Sequence, residues 1–319
     1  RSSRQREYSV YSLLKETERT QHMTVGEFYL ALIDEFERNG KLGNRRAYKG
    51  SYNSLNSFTG DNLDICFEDI TQGWLLNYES WLRAKGNKET TISIQFRTLR
   101  SVYNKAIKRK CVGKEYYPFE DFHINKFNVH TDKRAITKND VLKIISADLT
   151  GKSEYVKFSR DIFVFSYLCG GINFCDVASL TKENILNGRL FYVRQKTGKQ
   201  INLCLTKNAS AIIDKYYKGG KGFLFPILDV TRHITATQRE NRLHKVLGQV
   251  DKSLKIVAQI AKVDVNLTTY VARHSYATVL KRSGVPTSII CESLGHSSER
   301  VTQIYLDSFE NEQIDEAMK

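Results

Sequence analysis

The sequence predicts a mainly helical protein in two domains, the second carrying a small antiparallel β-sheet. Three observations lead there. Apolar residues recur at helical spacing through most of the chain, and only three prolines interrupt 319 residues. That length exceeds an ordinary single domain. Two short runs, Leu190-Phe191-Tyr192-Val193 and Ile201-Asn202-Leu203-Cys204-Leu205, flank Lys196-Thr197-Gly198-Lys199, which reads as a hairpin turn.

Residues 1–23 form a polar, charged N-terminal segment. Thr24 with Glu27 three residues later is a capping-box pattern and opens a helix bearing Phe28, Leu32, Ile33 and Phe36. A second helix carries Ala47, Tyr48, Tyr52 and Leu55. A third follows Thr71 with Trp74, Leu75, Tyr78, Trp81 and Leu82. A fourth runs from about Thr90 to Lys110 and turns Ile92, Phe96, Leu99, Val102, Tyr103 and Ala106 inward. These helices make a bundle over residues 24–123. Periodicity fades over residues 116–135, and residues 124–134 read as a linker ending in Lys133-Arg134.

The second domain, residues 135–319, starts with a helix at Thr137, with Asp140 in its first turn. An apolar helix, Phe158 to Leu168, is broken by Cys169-Gly170-Gly171, and a short helix spans Asn173 to Leu180. After the hairpin and Phe225-Pro226 the chain reads as helix to its end. Lys218-Gly219-Gly220-Lys221-Gly222 lacks the spacing and the Lys-Ser/Thr end of a phosphate-binding loop and reads as a turn before a strand.

Lysine and arginine number 49 against 35 acids, a net charge of +14, which argues for a polyanionic partner. No run of 18 apolar residues is present, which speaks against a membrane-spanning reading. The positive charge is concentrated. Between Lys85 and Lys114 lie nine basic residues and one acid. Arg97, Arg100, Asn104 and Lys108 fall on one face of the fourth helix, suited to phosphate contact that positions without specifying sequence. Lys133 and Arg134 extend the basic set. Six cysteines form no CxxC pair and read mostly as buried, reduced thiols, and no cluster has metal-ligand spacing.

The chemistry-bearing residues lie near the end. Arg273-His274-Ser275-Tyr276, then Leu294-Gly295-His296-Ser297-Ser298, then Tyr305 place an arginine, a histidine and a tyrosine at intervals of 23 and 9 residues. Taken singly, Arg273 fits a structural salt bridge, His296 a surface histidine and Tyr305 a core position. Together they can hold a phosphodiester, steady its charge and attack it. DNA is the simplest polyanion for such a set.

In order and spacing these residues resemble the tyrosine recombinases, the integrase family of phages and mobile elements, over about residues 24–319. Arg273 matches the second arginine, His296 the histidine of the Leu-Gly-His box, Tyr305 the nucleophile and Lys196 the hairpin lysine. Two positions depart. Asn173 stands where the first arginine is expected, and Tyr270 stands where a histidine precedes Arg273 by three, as in integrases of conjugative and mobilizable elements. Arg194, two residues before Lys196 and expected on the same strand face, is the candidate compensating cation. His274 reads as structural, and Asp176 as an orienting, capping or ion-paired residue.

The resemblance implies a SAM-like core-binding bundle and a catalytic domain forming a C-shaped clamp on duplex DNA. It implies attack by Tyr305, a 3′-phosphotyrosine, protonation of the leaving oxygen by Lys196, and donation by His296 to a non-bridging oxygen, with neither ATP nor metal. It implies a tetramer on two DNA sites (a monomer in isolation), room for an accessory DNA-bending protein, and a bacterial cytoplasmic setting. The acidic stretch Asp307 to Glu316 is expected to pack on its own or a neighbouring protomer. A chain that begins at Arg1, with Met23 its first methionine, suggests a piece of a longer protein, and whether an arm-binding module precedes it is left open by the sequence. The rival readings are a non-catalytic DNA-binding protein of the same fold, a type IB topoisomerase-like enzyme that religates the same strand, and a helical RNA-binding protein.

Overall fold

The computed structural model describes residues 23–128, 134–220, 222–303 and 306. Tyr305, Lys133, Lys221 and the residues of the N-terminal segment before Met23 lie outside the described residues, as does the acidic stretch from Asp307. The chain divides into two compact units, Arg1–Thr131 and Asp132–Lys319.

The first unit holds helices α1 (Val25–Arg38), α2 (Leu42–Phe58), α3 (Gln72–Ala84) and α4 (Glu89–Lys108). The capping box at Thr24 forms: its hydroxyl accepts from Glu27 N at 3.3 Å, and Thr24 N donates to the Glu27 carboxylate at 3.0 Å. Thr71 caps α3 through its hydroxyl alone, which accepts from Trp74 N. Phe28, Leu32, Leu55, Leu75, Leu82, Phe96, Leu99 and Val102 fill one core. Ile124 and Phe127, placed in the linker by the sequence, are buried in this core, as are Phe119 and Phe122. Phe127 stacks on Phe96 with ring centroids 5.3 Å apart. The segment lacks helical periodicity because 3₁₀ turns and extended stretches carry its aromatics.

The second unit holds α5 (Lys138–Ser146), α6 (Glu154–Leu168), α7 (Phe174–Ser179), strands β1 (Ile185–Leu186), β2 (Arg189–Val193) and β3 (Gln200–Cys204), then α8 (Lys207–Tyr216), α9 (Ala236–Ile260), α10 (Thr269–Arg282), α11 (Thr287–Ser293) and α12 (Glu299–Gln303). The sheet is antiparallel in the order β1-β2-β3, with Leu190 opposite Leu203 and Tyr192 opposite Ile201. Leu190, Tyr192 and Ile201 face the core, packed with α6, α9 and the start of α10. β1 was not anticipated. Its signal was present: Asn187 and Gly188 both adopt positive φ, as a two-residue hairpin turn requires.

A small third cluster joins Ala277, Ile290, Leu294 and Leu306, with Leu280 and Val301 against it. All six cysteines are free. Cys111, Cys169 and Cys291 are buried and Cys175 is half-buried; Cys66 and Cys204 are exposed and depart from the expectation of buried thiols. Among the described residues, no helix is long and apolar enough to cross a membrane.

Candidate active site

Two helix ends build the site. α6 stops at Cys169-Gly170-Gly171, where both glycines have positive φ and Gly171 N returns to Ser166 O at 2.8 Å. α11 stops at Leu294-Gly295-His296: Gly295 has φ +62°, its N–H bonds Glu292 O at 2.9 Å, and His296 N bonds Cys291 O at 3.0 Å. Both are glycine-dependent C-terminal caps, and the second is a Schellman motif with His296 as its last member. The caps leave carbonyls pointing outward at the negative ends of two helices, which favours cations.

Arg273 occupies that position. It lies on the buried face of α10 with Val271, Ala272, Ser275 and Ala277, and is 2% exposed. α10 is fixed at its start by Thr269 N donating to Asp251 Oδ1 at 2.9 Å. The Arg273 Nη1 donates to Gly171 O at 2.8 Å, and Nη2 donates to Leu294 O. Nη2 also lies 3.0 Å from His296 Nε2. The fit is close: a Cβ on Gly171 would stand 2.8 Å from Arg273 Cα. Gly171 therefore meets two demands, a positive φ and contact with Arg273. The sequence shows it only as a helix breaker.

The hairpin clamps onto the second cap. Arg194 Nη1 and Thr197 Oγ1 both donate to Gly295 O, at 2.8 and 3.1 Å, and Lys199 Nζ donates to His296 O. A Cβ on Gly295 would approach Ile201 Cδ1 to 2.9 Å and Arg194 Cδ to 3.3 Å. The expectation that Arg194 and Lys196 share a strand face is overturned. β2 ends at Val193, and the turn begins before the alternation reaches position 196. Arg194 continues the inward set of Leu190 and Tyr192 and is 3% exposed, whereas Lys196 sits exposed on the turn. The Lys196 charge still reaches the His296 ring.

Asn173 precedes α7 and is half-buried, its side chain beside Asp176. Asp176 is buried, and its Oδ1 accepts from Gln195 N at 3.0 Å. Burial pushes its pKa up, while the Gln195 N–H and the charges of Arg194 and Arg273 oppose that rise. Asp176 thus places a buried carboxyl within the field of two buried guanidiniums.

His296 is 1% exposed, and its pKa is held down to about 3 by burial first, then by Arg273, Arg194, Lys196 and Lys199. The ring is neutral near pH 7. Its Nδ1 lies 2.9 Å from Thr302 Oγ1. A guanidinium only donates, so Nε2 accepts from Arg273 and the ring proton sits on Nδ1, facing Thr302. In this arrangement Nε2 carries a lone pair, so the expected donation by His296 to a phosphate requires that Nε2 first gain a proton.

Tyr270 is 42% exposed on α10, and its ring meets His274 edge-on at 5.0 Å between centroids. Tyr305, the expected nucleophile, lies outside the described residues; Leu306 after it is buried in the third cluster. The structure thus brings together Arg273, His296, Arg194 and Asp176, with Asn173 and Lys196 at the border. In the first unit, Arg97, Arg100, Asn104 and Lys108 are all exposed on α4, and Arg134 is exposed in the second unit. Lys133 lies outside the described residues. Thr197, Lys199, Gly171 and Thr302 were not singled out from sequence, because each acts through contacts with residues distant in the chain or one turn away.

Two family models match the chain in tandem, the phage integrase SAM-like domain over residues 24–127 and the phage integrase family over residues 134–312. The chain belongs to the phage integrase family. Tyrosine recombinase XerD of Halalkalibacterium halodurans is 25% identical over 239 residues, covering 74% of this chain and 77% of the relative. Tyrosine recombinase XerA of Pyrococcus horikoshii is 26% identical over 201 residues, covering 60% of this chain and 65% of the relative. Among solved structures, a lambda integrase dimer bound to a COC′ core site superposes with a TM-score of 0.64 at 16% identity, over 94% of this chain and 86% of that one. The Tn1549 transposon integrase in complex with a circular intermediate DNA gives 0.63 at 17%, over 93% and 99%. At these identities the superpositions speak for the fold: mostly helical integrase architecture, with a SAM-like unit followed by a catalytic unit carrying a small antiparallel sheet.

Proposed function

We propose that this integrase-family chain is a site-specific DNA recombinase that cuts and rejoins strands through a 3′-phosphotyrosine at Tyr305, serving integration or excision of a mobile element. The observation that carries the reading is the convergence of Arg273 and His296, with Nη2 and Nε2 3.0 Å apart and the hairpin cations acting on the same ring. A buried guanidinium beside a neutral imidazole is a poor arrangement for stability alone, since its burial is costly. It suits a site where a phosphodiester brings its negative charge to both groups.

Arg273 holds the non-bridging oxygens, a task that fits a planar fork better than an ammonium. A phosphate arriving there competes with His296 for Nη2 and frees the Nε2 lone pair. The phenolic O–H of Tyr305 then gives its proton to Nε2 as its oxygen bonds phosphorus. The P–O5′ bond breaks, and Lys196 protonates the departing 5′ oxygen. The imidazolium so formed donates to a non-bridging oxygen. Asn173 supplies a hydrogen bond without charge, Arg194 supplies the charge that the missing arginine would have brought, and Tyr270 supplies a hydroxyl at the rim. Bond energy is retained in the protein–DNA link, so rejoining needs no ATP or metal.

The substrate is double-stranded DNA, held by the exposed α4 stripe of Arg97, Arg100, Asn104 and Lys108 and by Lys133 and Arg134. Strand exchange between two sites calls for four protomers, and the bacterial cytoplasm is the setting. A pool of nicked duplexes randomised around the nick tests the whole. Wild type forms an SDS-resistant adduct enriched for one sequence class, and Tyr305→Phe forms none. DNA binding with no adduct from wild type supports the non-catalytic reading instead. Relaxation of a supercoiled plasmid without exchange between sites supports the topoisomerase-like one.

A further inference from the structure

We infer that Thr302 is a positioning residue for the reaction: its hydroxyl accepts from His296 Nδ1 and, together with the Arg273 contact at Nε2, holds the ring in one tautomer and orientation. The inference deepens the recombinase reading and rests on it for its catalytic consequence, though not for its geometry.

Thr302 is fully buried on α12, a helix of five residues, Glu299–Gln303. Its Oγ1 lies 2.9 Å from His296 Nδ1, on the side of the ring opposite the Arg273 contact at 3.0 Å. A threonine hydroxyl can donate or accept, so on its own it would accommodate either ring tautomer. The second contact removes that freedom. Arg273 Nη2 carries only hydrogens, and a proton on Nε2 would set donor against donor. Thr302 therefore accepts, and the ring cannot turn over without losing both bonds. The alternative of a doubly protonated ring is opposed by burial and by the charges of Arg273, Arg194, Lys196 and Lys199, which hold its pKa to about 3.

The same residue links two parts of the chain. Val301 beside it packs with Ile290 and Leu294, and so does Leu306. The apolar contacts hold α12 against α11 but do not fix which ring nitrogen points where. Thr302 alone on α12 makes a hydrogen bond to the imidazole among the described residues. It lies three positions before Tyr305 in sequence. A helix end displaced by one residue would break the Thr302–His296 bond.

The test compares Thr302→Val, which keeps shape and removes the hydroxyl, with Thr302→Ser, which keeps the hydroxyl. In ¹⁵N-histidine-labelled protein without DNA, wild type and Thr302→Ser give a His296 signal with Nδ1 protonated; in Thr302→Val the ring, no longer anchored at Nδ1, leaves the Arg273 contact and its signal shifts toward the ordinary mixture with Nε2 protonated. With a nicked duplex selected from the randomised pool, Thr302→Val forms adduct roughly tenfold more slowly at saturating DNA, the effect of one lost neutral hydrogen bond. DNA affinity is unchanged, and Thr302→Ser returns the rate to within about twofold. A valine variant with the wild-type tautomer signal overturns the inference. So does one that forms adduct at the wild-type rate, or a serine variant as slow as valine. If wild type itself forms no adduct, the recombinase reading fails while the tautomer measurement still decides the placement of the proton.

Discussion

On α4 the cations Arg97, Arg100 and Lys108 stand in solvent with no acidic partner among the described residues, whereas Arg194 and Arg273 of the second unit are buried against backbone carbonyls. The first set costs little to maintain, because water solvates it and salt screens it. It can attract any phosphate backbone, and each member is replaceable. The second set is expensive to desolvate and is held by two glycine caps, a carboxylate and a neutral histidine. Its value lies in geometry, so each member is hard to replace. On the proposed function the same charge does positioning in one unit and chemistry in the other, and the two are separable by experiment.

The largest effect is expected at Arg273. Arg273→Ala lowers the rate of adduct formation by roughly a hundred- to a thousandfold, the loss of a transition-state donor worth about 2.7–4 kcal/mol. Arg273→Lys recovers little, because an ammonium cannot serve Gly171 O, Leu294 O and a phosphate together. Gly171→Ala breaks the same geometry from outside: the added Cβ meets Arg273 Cα at 2.8 Å at a φ of +67°. It is expected to slow adduct formation comparably while nitrocellulose filter binding of DNA is retained. Wild-type chemistry in Gly171→Ala would show that the buried set tolerates displacement, and the contrast between the units would dissolve.

Arg194 comes next. Arg194→Ala removes the donor to Gly295 O and one of the two cations beside Asp176. Adduct formation falls by about a hundredfold if Arg194 carries the charge absent at Asn173. An unchanged rate would leave Arg194 as a structural tie between hairpin and cap. The same variant moves the His296 pKa up and the Asp176 pKa further up, since a neighbouring positive charge is lost from each.

The pH dependence follows from the His296 shift. The folded ring takes up a proton only near pH 3, against about 6.5 when unfolded. Between those values the unfolded chain binds more protons than the folded one, so unfolding becomes easier as pH falls from about 6.5 toward 3. Urea titrations at pH 7 and pH 5 are expected to show that loss in wild type and a smaller loss in His296→Gln. Adduct formation carries no inflection near pH 6.5 from this ring. An inflection there that His296→Gln abolishes would mean the ring is wetter and less buried than its 1% exposure indicates.

Much of this contrast was legible in the sequence, and what was not has a physical reason. The α4 stripe is a local pattern: four residues at helical spacing opposite Phe96, Leu99 and Val102 can fall on only one side. Thr24, Thr71 and Thr137 announced helix starts through side-chain caps that reach three residues ahead. The buried set is a long-range pattern. Arg273 meets a carbonyl 102 residues away, and Arg194 meets one 101 residues away, so no window on the chain contains both partners. The inward side of Arg194 was readable from Leu190 and Tyr192, but alternation does not say where a strand stops, and Lys196 was carried one step too far. Ile124 and Phe127 looked like linker because aromatics on 3₁₀ turns leave no period.

The smallest effect separates two exposed arginines, one on α4 and one at its C-terminal cap. Arg109 caps the end of that helix and holds the Glu35 carboxylate at 2.6 Å, with both side chains 40% exposed. Its guanidinium keeps the Glu35 carboxyl below the usual carboxylate range, through the hydrogen bond first. Arg100 has no such acid. If exposed cations act on DNA through counterion release, Arg100→Ala lowers the slope of log K against log salt by about 0.9 and weakens all sequences alike. Arg109 is already compensated by Glu35, so Arg109→Ala changes that slope much less and shows itself as about 0.2–1 kcal/mol in a double-mutant cycle of stability with Glu35→Gln. Equal slopes for the two variants would mean that DNA pulls Arg109 away from its acid. The exposed set would then include every cation near the end of α4 rather than the stripe alone.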